Sequence, residues 1–449
     1  MAIDATLLKQ ERVHKLILKF ASFSIITMLA TGAVTMAGTF IVSRGIDIHA
    51  VGAMGVLFPL VTLYFGFSQL IAIGAASYIS RMLGKCEDSR AKSAIITAYS
   101  ISLVISLTLV ALTLIFKSQI LNFLGADGEY KDNARLYISL FVYSVPFTSM
   151  TLLASAIFRA YGNLKFSMLL IVLEASIIIG LDALFTFVFN FGMAGVGISN
   201  AIAGFIAASM GIILLLKRIG GVKFVKSSLK IDLEIFKGIL SIGVSALSRS
   251  LVIALFAFVL NRTVDHFAGE EVLTALGTVN RITILLFMVI MGINQAMQPI
   301  VSFNYTAKEY SRVKEALKYA LIYSSIIGML GMLIGFLIPR QIITIFTQNS
   351  DILDDATQIL RMQLLVYVTM GVQTLSATYF QAIGKAKMSF FLSVFKHLLF
   401  LIPLAFILPR IFSENAFAIW WTYPIADSLT AIIASIILAV NIKNLRPNE

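Results

Sequence analysis

Long apolar runs, separated by short polar segments rich in charged and turn residues, recur along the chain. Each run provides the roughly 20 residues with which a helix crosses a bilayer. They predict an all-α integral membrane protein with twelve transmembrane helices, at about 17–43, 50–80, 93–116, 136–158, 167–190, 194–216, 238–260, 275–302, 317–338, 362–380, 389–409 and 416–441. The first run is far longer than a signal-peptide core, so we expect it to be retained.

The composition supports a membrane protein. Of the 449 residues, 59% are hydrophobic and only 13% are charged, whereas soluble domains have about 25% charged residues. The mean hydropathy is +0.92. One cysteine, Cys86, and four scattered histidines predict neither a disulfide framework nor a metal site. The sequence has no cluster of His, Asp or Glu at one membrane face, so we expect that the protein is not an enzyme and needs no cofactor.

The basic residues are distributed unequally between the two sets of alternating loops. An even number of spans places both termini on one side, and the loops of that side carry 24 Lys and Arg residues against 8 on the other. The positive-inside rule then predicts cytoplasmic termini and a multi-pass protein of the cell (inner or plasma) membrane. The net charge of +12 indicates attraction to membrane lipids with anionic headgroups, and not to nucleic acid.

An internal repeat relates the two halves of the sequence. Segments 158–167 and 380–389 share Phe, Ala, Gly, Lys and Ser at matching places, and segments 80–94 and 302–316 also match. Both pairs have the same repeat offset of 222. We predict two six-helix bundles related by a parallel repeat, at 1–216 and 238–449, joined by a cytoplasmic basic linker at 217–237. Because an even number of spans gives both bundles the same orientation, this plan favours a transporter with a central cleft and alternating access, which we expect to be a monomer.

Four motifs occur in order along the chain. They are Arg159-Ala-Tyr-Gly-Asn163, Leu181-Asp-Ala-Leu-Phe185, Gly192-Met-Ala-Gly-Val-Gly197 and Gln298-Pro-Ile-Val-Ser-Phe-Asn304. In these motifs the chain resembles the multidrug and toxic compound extrusion (MATE) transporters. The general pattern is most similar to that of the bacterial multidrug efflux members. The resemblance implies a V-shaped pair of bundles and the export of small amphipathic, often cationic compounds, driven by a proton or sodium gradient.

The resemblance also implies where the coupling cation binds. It assigns the cation to Asp182 and Asn200 in the first half. Two oxygen-bearing side chains that relatives often have near this Asp are replaced here by Gly38 and Ile178, which favours a proton over sodium. Glu174 precedes Asp182 on the same helix, by about 12 Å along the axis and roughly 80° around it. It is a candidate for a proton relay, or for structural pairing with a basic residue such as Arg249.

Ionisable residues at bilayer depth are functional candidates because each costs several kcal/mol unless it is paired or hydrated. Six Asp, Glu, Lys and Arg residues lie well inside the spans, namely Glu174, Asp182, Arg249, Arg281, Lys396 and Asp427. Asp427 is expected to form an ion pair with one of the cations of the second half, or to act as a counter-ion towards substrate. Candidate residues for the substrate cleft are Gln69, Gln295, Gln298, Asn304, Gln381, Arg249, Lys396 and Asp427. The alternative function is a flippase or exporter of lipid-linked saccharides or another polar metabolite.

Overall fold

The computed structural model describes residues 7–125, 129–219, 232–345, 350–412 and 416–445, and these ranges contain helices and no strand. This confirms the predicted all-α membrane fold. The twelve long helices are α1 Val13–Gly45, α2 Ile48–Gly84, α3 Asp88–Ile115, α4 Tyr130–Ala160, α5 Leu164–Phe187, α6 Gly192–Arg218, α7 Leu233–Val264, α8 Glu271–Thr306, α9 Tyr310–Leu337, α10 Ser350–Leu364 with Met370–Ala382, α11 Ala386–Ile411 and α12 Thr422–Lys443.

Eleven helices in the described ranges are long and apolar enough to cross a membrane. The remaining predicted span, 362–380, falls on α10, which a 3-10 turn at Tyr367–Thr369 divides into two parts. A similar 3-10 turn, Val142–Ser144, lies within α4. α7 and α8 meet at Gly269, whose φ of 82° breaks the helical path.

The predicted linker at 217–237 differs at both ends, because α6 runs to Arg218 and α7 begins at Leu233. Its middle lies outside the described residues.

The sequence repeat also appears in the structure, because equivalent residues of the two halves form the same hydrogen bonds. Ser80 Oγ donates to the Ala160 carbonyl at 3.4 Å, and Ser302 Oγ donates to the Ala382 carbonyl at 3.0 Å. The backbone turns repeat too: the φ angles of Gly162 and Gly384 are 76° and 83°, and those of Cys86 and Lys308 are 63° and 61°. The shared residues of the two motifs therefore build the same helix ends in both halves.

The chain divides into two compact units. Unit 1 contains the described residues of Met1–Glu11 and Ile26–Leu247, and unit 2 those of Arg12–Ile25 and Ser248–Glu449. The first turns of α1 therefore pack within unit 2 and those of α7 within unit 1, unlike the predicted boundaries at 216 and 238. The two crossing points, after Ile25 and after Leu247, are separated by the repeat offset, so the exchange follows the repeat.

Glycines allow these exchanged segments to pack closely. In unit 1, a Cβ built on Gly243 would collide with the Leu70 carbonyl oxygen. In unit 2, a Cβ on Gly292 would lie 2.7 Å from Ile25 Cα. Real Cβ atoms do not approach other atoms so closely, so only glycine permits these two helix contacts.

Candidate functional site

Helix α5 carries both acidic side chains that the sequence analysis singled out. It begins after Asn163, whose side chain accepts a hydrogen bond from the Phe166 amide at 3.3 Å, and it continues unbroken to Phe187. Glu174 and Asp182 are both buried. Neither forms an ion pair with a residue of the described ranges. Two uncompensated carboxyl groups therefore lie on one transmembrane helix.

Asp182 is enclosed by side chains and backbone of three other helices. Its Oδ1 accepts a hydrogen bond from the Ser199 hydroxyl of α6. A Cβ built on Gly38 of α1 would lie 3.9 Å from Asp182 Oδ2, and Tyr137 of α4 interacts with the carboxyl group electrostatically. The Asn200 side chain donates from Nδ2 to the Val196 carbonyl of its own helix at 2.8 Å.

Glu174 lines a cavity of about 190 Å³ in unit 1, which we call the unit 1 cavity. The Thr148 hydroxyl of α4 donates to Glu174 Oε1 at 2.9 Å. The cavity wall also includes Tyr64, Phe65 and Asn200, and no Lys, Arg or His of the described chain belongs to it. The structure thus places Glu174 and Asn200 in the cavity wall, whereas Asp182 is not among the lining residues.

A second cavity, of about 90 Å³, lies in unit 2 and is called the unit 2 cavity. Its wall includes Arg249, Gln373, Lys396 and His397. Lys396 forms an ion pair with Asp427 of α12, which confirms the expected pairing of that acid with a cation of the second half. Arg249 has no ion-pair or hydrogen-bond partner within the part of the chain that the structure describes.

The conformation of α11 contributes to this wall. Residues Lys396–Leu401 are π-helical and precede Pro403. Proline has no amide hydrogen and its ring clashes with the carbonyl four residues earlier, here that of Leu399, so the α-helical ladder is interrupted. The two adjacent residues Lys396 and His397 both line the cavity in this segment.

The two cavities occupy equivalent places in the repeat. Seven positions of the unit 1 wall correspond, through the repeat offset, to positions of the unit 2 wall. These pairs are Thr31 and Ile253, Phe65 and Phe287, Thr148 and Met370, Leu152 and Thr374, Ile171 and Ser393, Glu174 and Lys396, and Ala175 and His397. The acid of one cavity is therefore a lysine in the other. The motifs do not reveal this pairing, although the repeat offset applied to Glu174 leads to Lys396.

The amides proposed for a substrate cleft lie elsewhere. Asn304 is buried, with Nδ2 donating to the Ile300 carbonyl at 2.8 Å and Oδ1 accepting from Arg312 Nε at 3.1 Å. These contacts give Asn304 a structural role at the end of α8. The other four candidates, which belong to neither cavity wall, are the buried Gln298 and Gln381 and the half-buried Gln69 and Gln295.

Comparison with known families identifies the class of the protein. The MatE family model matches residues 24–184 and 246–407. The starts of the two matches are separated by the repeat offset, and together the matches cover more than half of the chain. The protein is a membrane transporter of two repeated halves, and the chain belongs to the MatE family.

Two individual comparisons agree with this assignment. The chain is 26% identical over 394 residues to the multidrug export protein MepA of Staphylococcus aureus (strain MSSA476), covering 87% of this chain and 86% of MepA. Among solved structures, it is similar to a multidrug resistance MATE family transporter of the MOP superfamily in an outward-facing conformation. That similarity has a TM-score of 0.94, 22% identity and full coverage of both chains.

A second solved structure is that of a MOP superfamily transporter from Pyrococcus furiosus Vc1, described as having a binding pocket of reverse polarity. It is similar with a TM-score of 0.93 and 21% identity, again over the full length of both chains. At these identities the solved structures establish the shared fold.

Proposed function

We propose that the protein is a proton-coupled antiporter that exports amphipathic, often cationic small molecules by alternating access. The observation that carries this proposal is the pair of buried, unpaired carboxyl groups on α5, Asp182 beside Ser199 and Glu174 in the unit 1 cavity. A carboxyl group without a nearby cation has to bind a proton or another cation to be neutral inside a membrane. Such a group can couple cation entry to substrate exit.

The hydrogen bonds of Ser199 suit Asp182 for proton exchange. The Ser199 hydroxyl has one hydrogen but lies within bonding distance of two acceptors, Asp182 Oδ1 and the Val196 carbonyl, the latter at 2.9 Å. When Asp182 is protonated it donates to Ser199, which donates to Val196. When Asp182 is ionised, the Ser199 hydrogen turns to the carboxylate, and the Val196 carbonyl retains the Asn200 amide as a donor. Both protonation states are satisfied without moving a helix.

The surroundings of Asp182 offer few oxygen ligands for a sodium ion. Hard cations take several oxygen ligands, but Gly38 faces Asp182 Oδ2 without a side chain. No group of three or more His, Cys, Asp or Glu residues suited to a metal ion occurs in the described ranges. These observations support a proton as the coupling ion.

The unit 1 cavity is the proposed site for the positive group of a substrate. Glu174 supplies a negative charge, and Tyr64 and Phe65 supply aromatic faces that attract organic cations. The volume of about 190 Å³ is below the roughly 300 Å³ or more of typical ligand pockets. We infer that the cavity holds the cationic end of a larger amphipathic molecule. The similarity to MepA, a multidrug export protein, supports the export of drug molecules.

Transport in reconstituted liposomes tests the proposal. With an inward proton gradient, purified protein should move ethidium outward, and an inward sodium gradient alone should not replace it. Protein-free liposomes and liposomes with a collapsed gradient are the controls. Absence of ethidium movement under both gradients, with correctly oriented protein, would contradict the exporter. Flipping of a lipid-linked saccharide in the same liposomes would establish the alternative.

We further propose that the monomer lies in the cell membrane with both termini in the cytoplasm. The asymmetry of 24 against 8 basic residues in the loops supports this orientation. In a Cys86→Ser background, a cysteine at Ser228 should react only with membrane-permeant reagents in intact cells. A cysteine at Asp354 should react with impermeant reagents. The reverse labelling pattern would overturn the orientation.

A further inference from the structure

The unit 2 cavity has a positive charge that the structure does not neutralise. Asp427 pairs with Lys396, which leaves the charge of Arg249 as the net charge of these three side chains. At the equivalent positions of unit 1, Arg249 corresponds to Thr27 and Asp427 to Phe205. The charged residues Arg249 and Asp427 therefore occur in this half only, and the repeat does not explain them.

Several polar groups of this cavity wall lack partners. Arg249 is half-buried. Its guanidinium has five N–H donors, and it has no hydrogen-bond or ion-pair partner in the described ranges. His397 Nδ1 and Thr430 Oγ1 are buried and also without a hydrogen-bond partner there. An unpaired charge and unpaired donors at membrane depth cost several kcal/mol, which a bound anion would offset.

The size and lining of the cavity limit what can bind. The volume of about 90 Å³ corresponds to about three water molecules at ~30 Å³ each, enough for a carboxylate or sulfonate group or a halide. Apolar wall residues, Ile253, Phe287 and Leu392, are suited to the hydrocarbon next to such a group. The planar guanidinium of Arg249 matches a carboxylate with two parallel hydrogen bonds.

We propose that the unit 2 cavity is a binding site for a single negative charge, the carboxylate or sulfonate of a small organic anion, held by Arg249 beside the Lys396–Asp427 pair. All of its residues lie in unit 2, so the inference does not depend on Asp182 as the coupling residue. The transporter then has binding sites of opposite charge at equivalent places of its two halves.

Equilibrium dialysis of purified protein in detergent with radiolabelled benzoate tests this site. Benzamide and benzylammonium have nearly the same shape with no charge and a positive charge. We expect saturable benzoate binding that unlabelled benzoate displaces and the two analogues do not. Absence of saturable benzoate binding to monodisperse protein would overturn the proposal, as would equal displacement by benzamide.

Three variants locate the binding. Arg249→Gln should weaken benzoate binding at least about tenfold. Arg281→Gln, which removes an exposed arginine of α8 outside the cavity, should leave it unchanged. Asp427→Asn frees Lys396 from its ion pair and should strengthen binding, a gain that misfolding cannot produce. Benzoate binding that is the same in Arg249→Gln and Asp427→Asn as in the parent would place the anion elsewhere and refute the site.

Chloride is the other source of a single negative charge. Dialysis is repeated with chloride replaced by gluconate. Stronger benzoate binding without chloride, lost in Arg249→Gln, would support the anion site and show that halides share it. Binding independent of chloride, with the same variant dependence, would support the site and restrict it to organic anions.

Discussion

The unit 1 and unit 2 cavities have equivalent positions and opposite charges. In unit 1 the Thr148 hydroxyl binds Glu174 at 2.9 Å, and at the equivalent positions of unit 2 Met370 Sδ lies 3.5 Å from Lys396 Nζ. Helix ends at equivalent places of the two halves keep the same hydrogen bonds and positive φ angles. The repeat thus preserves backbone construction while the cavity walls differ in chemistry.

The physical reason lies in what each position tolerates. A turn with a φ near 80°, as at Gly162 and Gly384, strongly favours glycine, because other residues clash there. A cavity wall leaves space beside the side chain, so an acid or a base fits without moving the helices. The charge of a cavity wall can therefore differ between the two halves, as our proposal of two oppositely charged binding sites requires.

The largest effect is expected at Asp182. Asp182→Asn retains the shape and a polar group but cannot release a proton, so gradient-driven ethidium export should fall to the level of protein-free liposomes. Ethidium binding should persist, measured by fluorescence on detergent-purified protein. Export at the parental rate would show that Asp182 only packs between helices, and would move the search for the coupling site to Glu174 and Asp427.

A smaller effect, on ethidium binding, is expected from variants of Glu174 and Lys396, which occupy equivalent positions of the repeat. Glu174→Gln removes the negative charge of the unit 1 cavity and should weaken ethidium binding about tenfold, or about 1.4 kcal/mol, while reducing export less than Asp182→Asn does. The matched variant Lys396→Gln should leave ethidium affinity unchanged. Equal losses in the two variants, measured by fluorescence titration, would mean that charge does not distinguish the cavities for this cation.

The smallest effect is expected from adding an oxygen ligand at Gly38. A Cβ there would lie 3.9 Å from Asp182 Oδ2, so Gly38→Asp can place a second carboxylate beside the first. Sodium should then raise the thermal unfolding temperature by several degrees, since a ligand at 100 times its Kd contributes about 2.7 kcal/mol. The neutral Gly38→Asn and the parent, heated with NaCl or KCl, are the controls. Equal midpoints in both salts for Gly38→Asp would count against the missing side chain at Gly38 as the reason why Asp182 does not bind sodium.

Much of the fold could be predicted because its signals are local. Spans such as 167–190 follow from apolar length alone, and α5 occupies Leu164–Phe187. The interrupted helix α10 was less predictable, since a 3-10 turn at Tyr367–Thr369 depends on packing rather than on hydropathy. The exchange of the first turns of α1 and α7 between units also has no hydropathy signal, because it rests on close contacts at Gly243 and Gly292.

The sequence by itself determined the membrane class, the internal repeat, the family and the acids of α5, because hydropathy, periodicity and motif order are properties of the linear chain. It also predicted that Asp427 pairs with a cation. Only the tertiary structure decided which cation, that Ser199 binds Asp182, and that Asn200 turns to its own helix. Partner choice depends on distances between helices far apart in sequence, and these distances follow from how side chains pack.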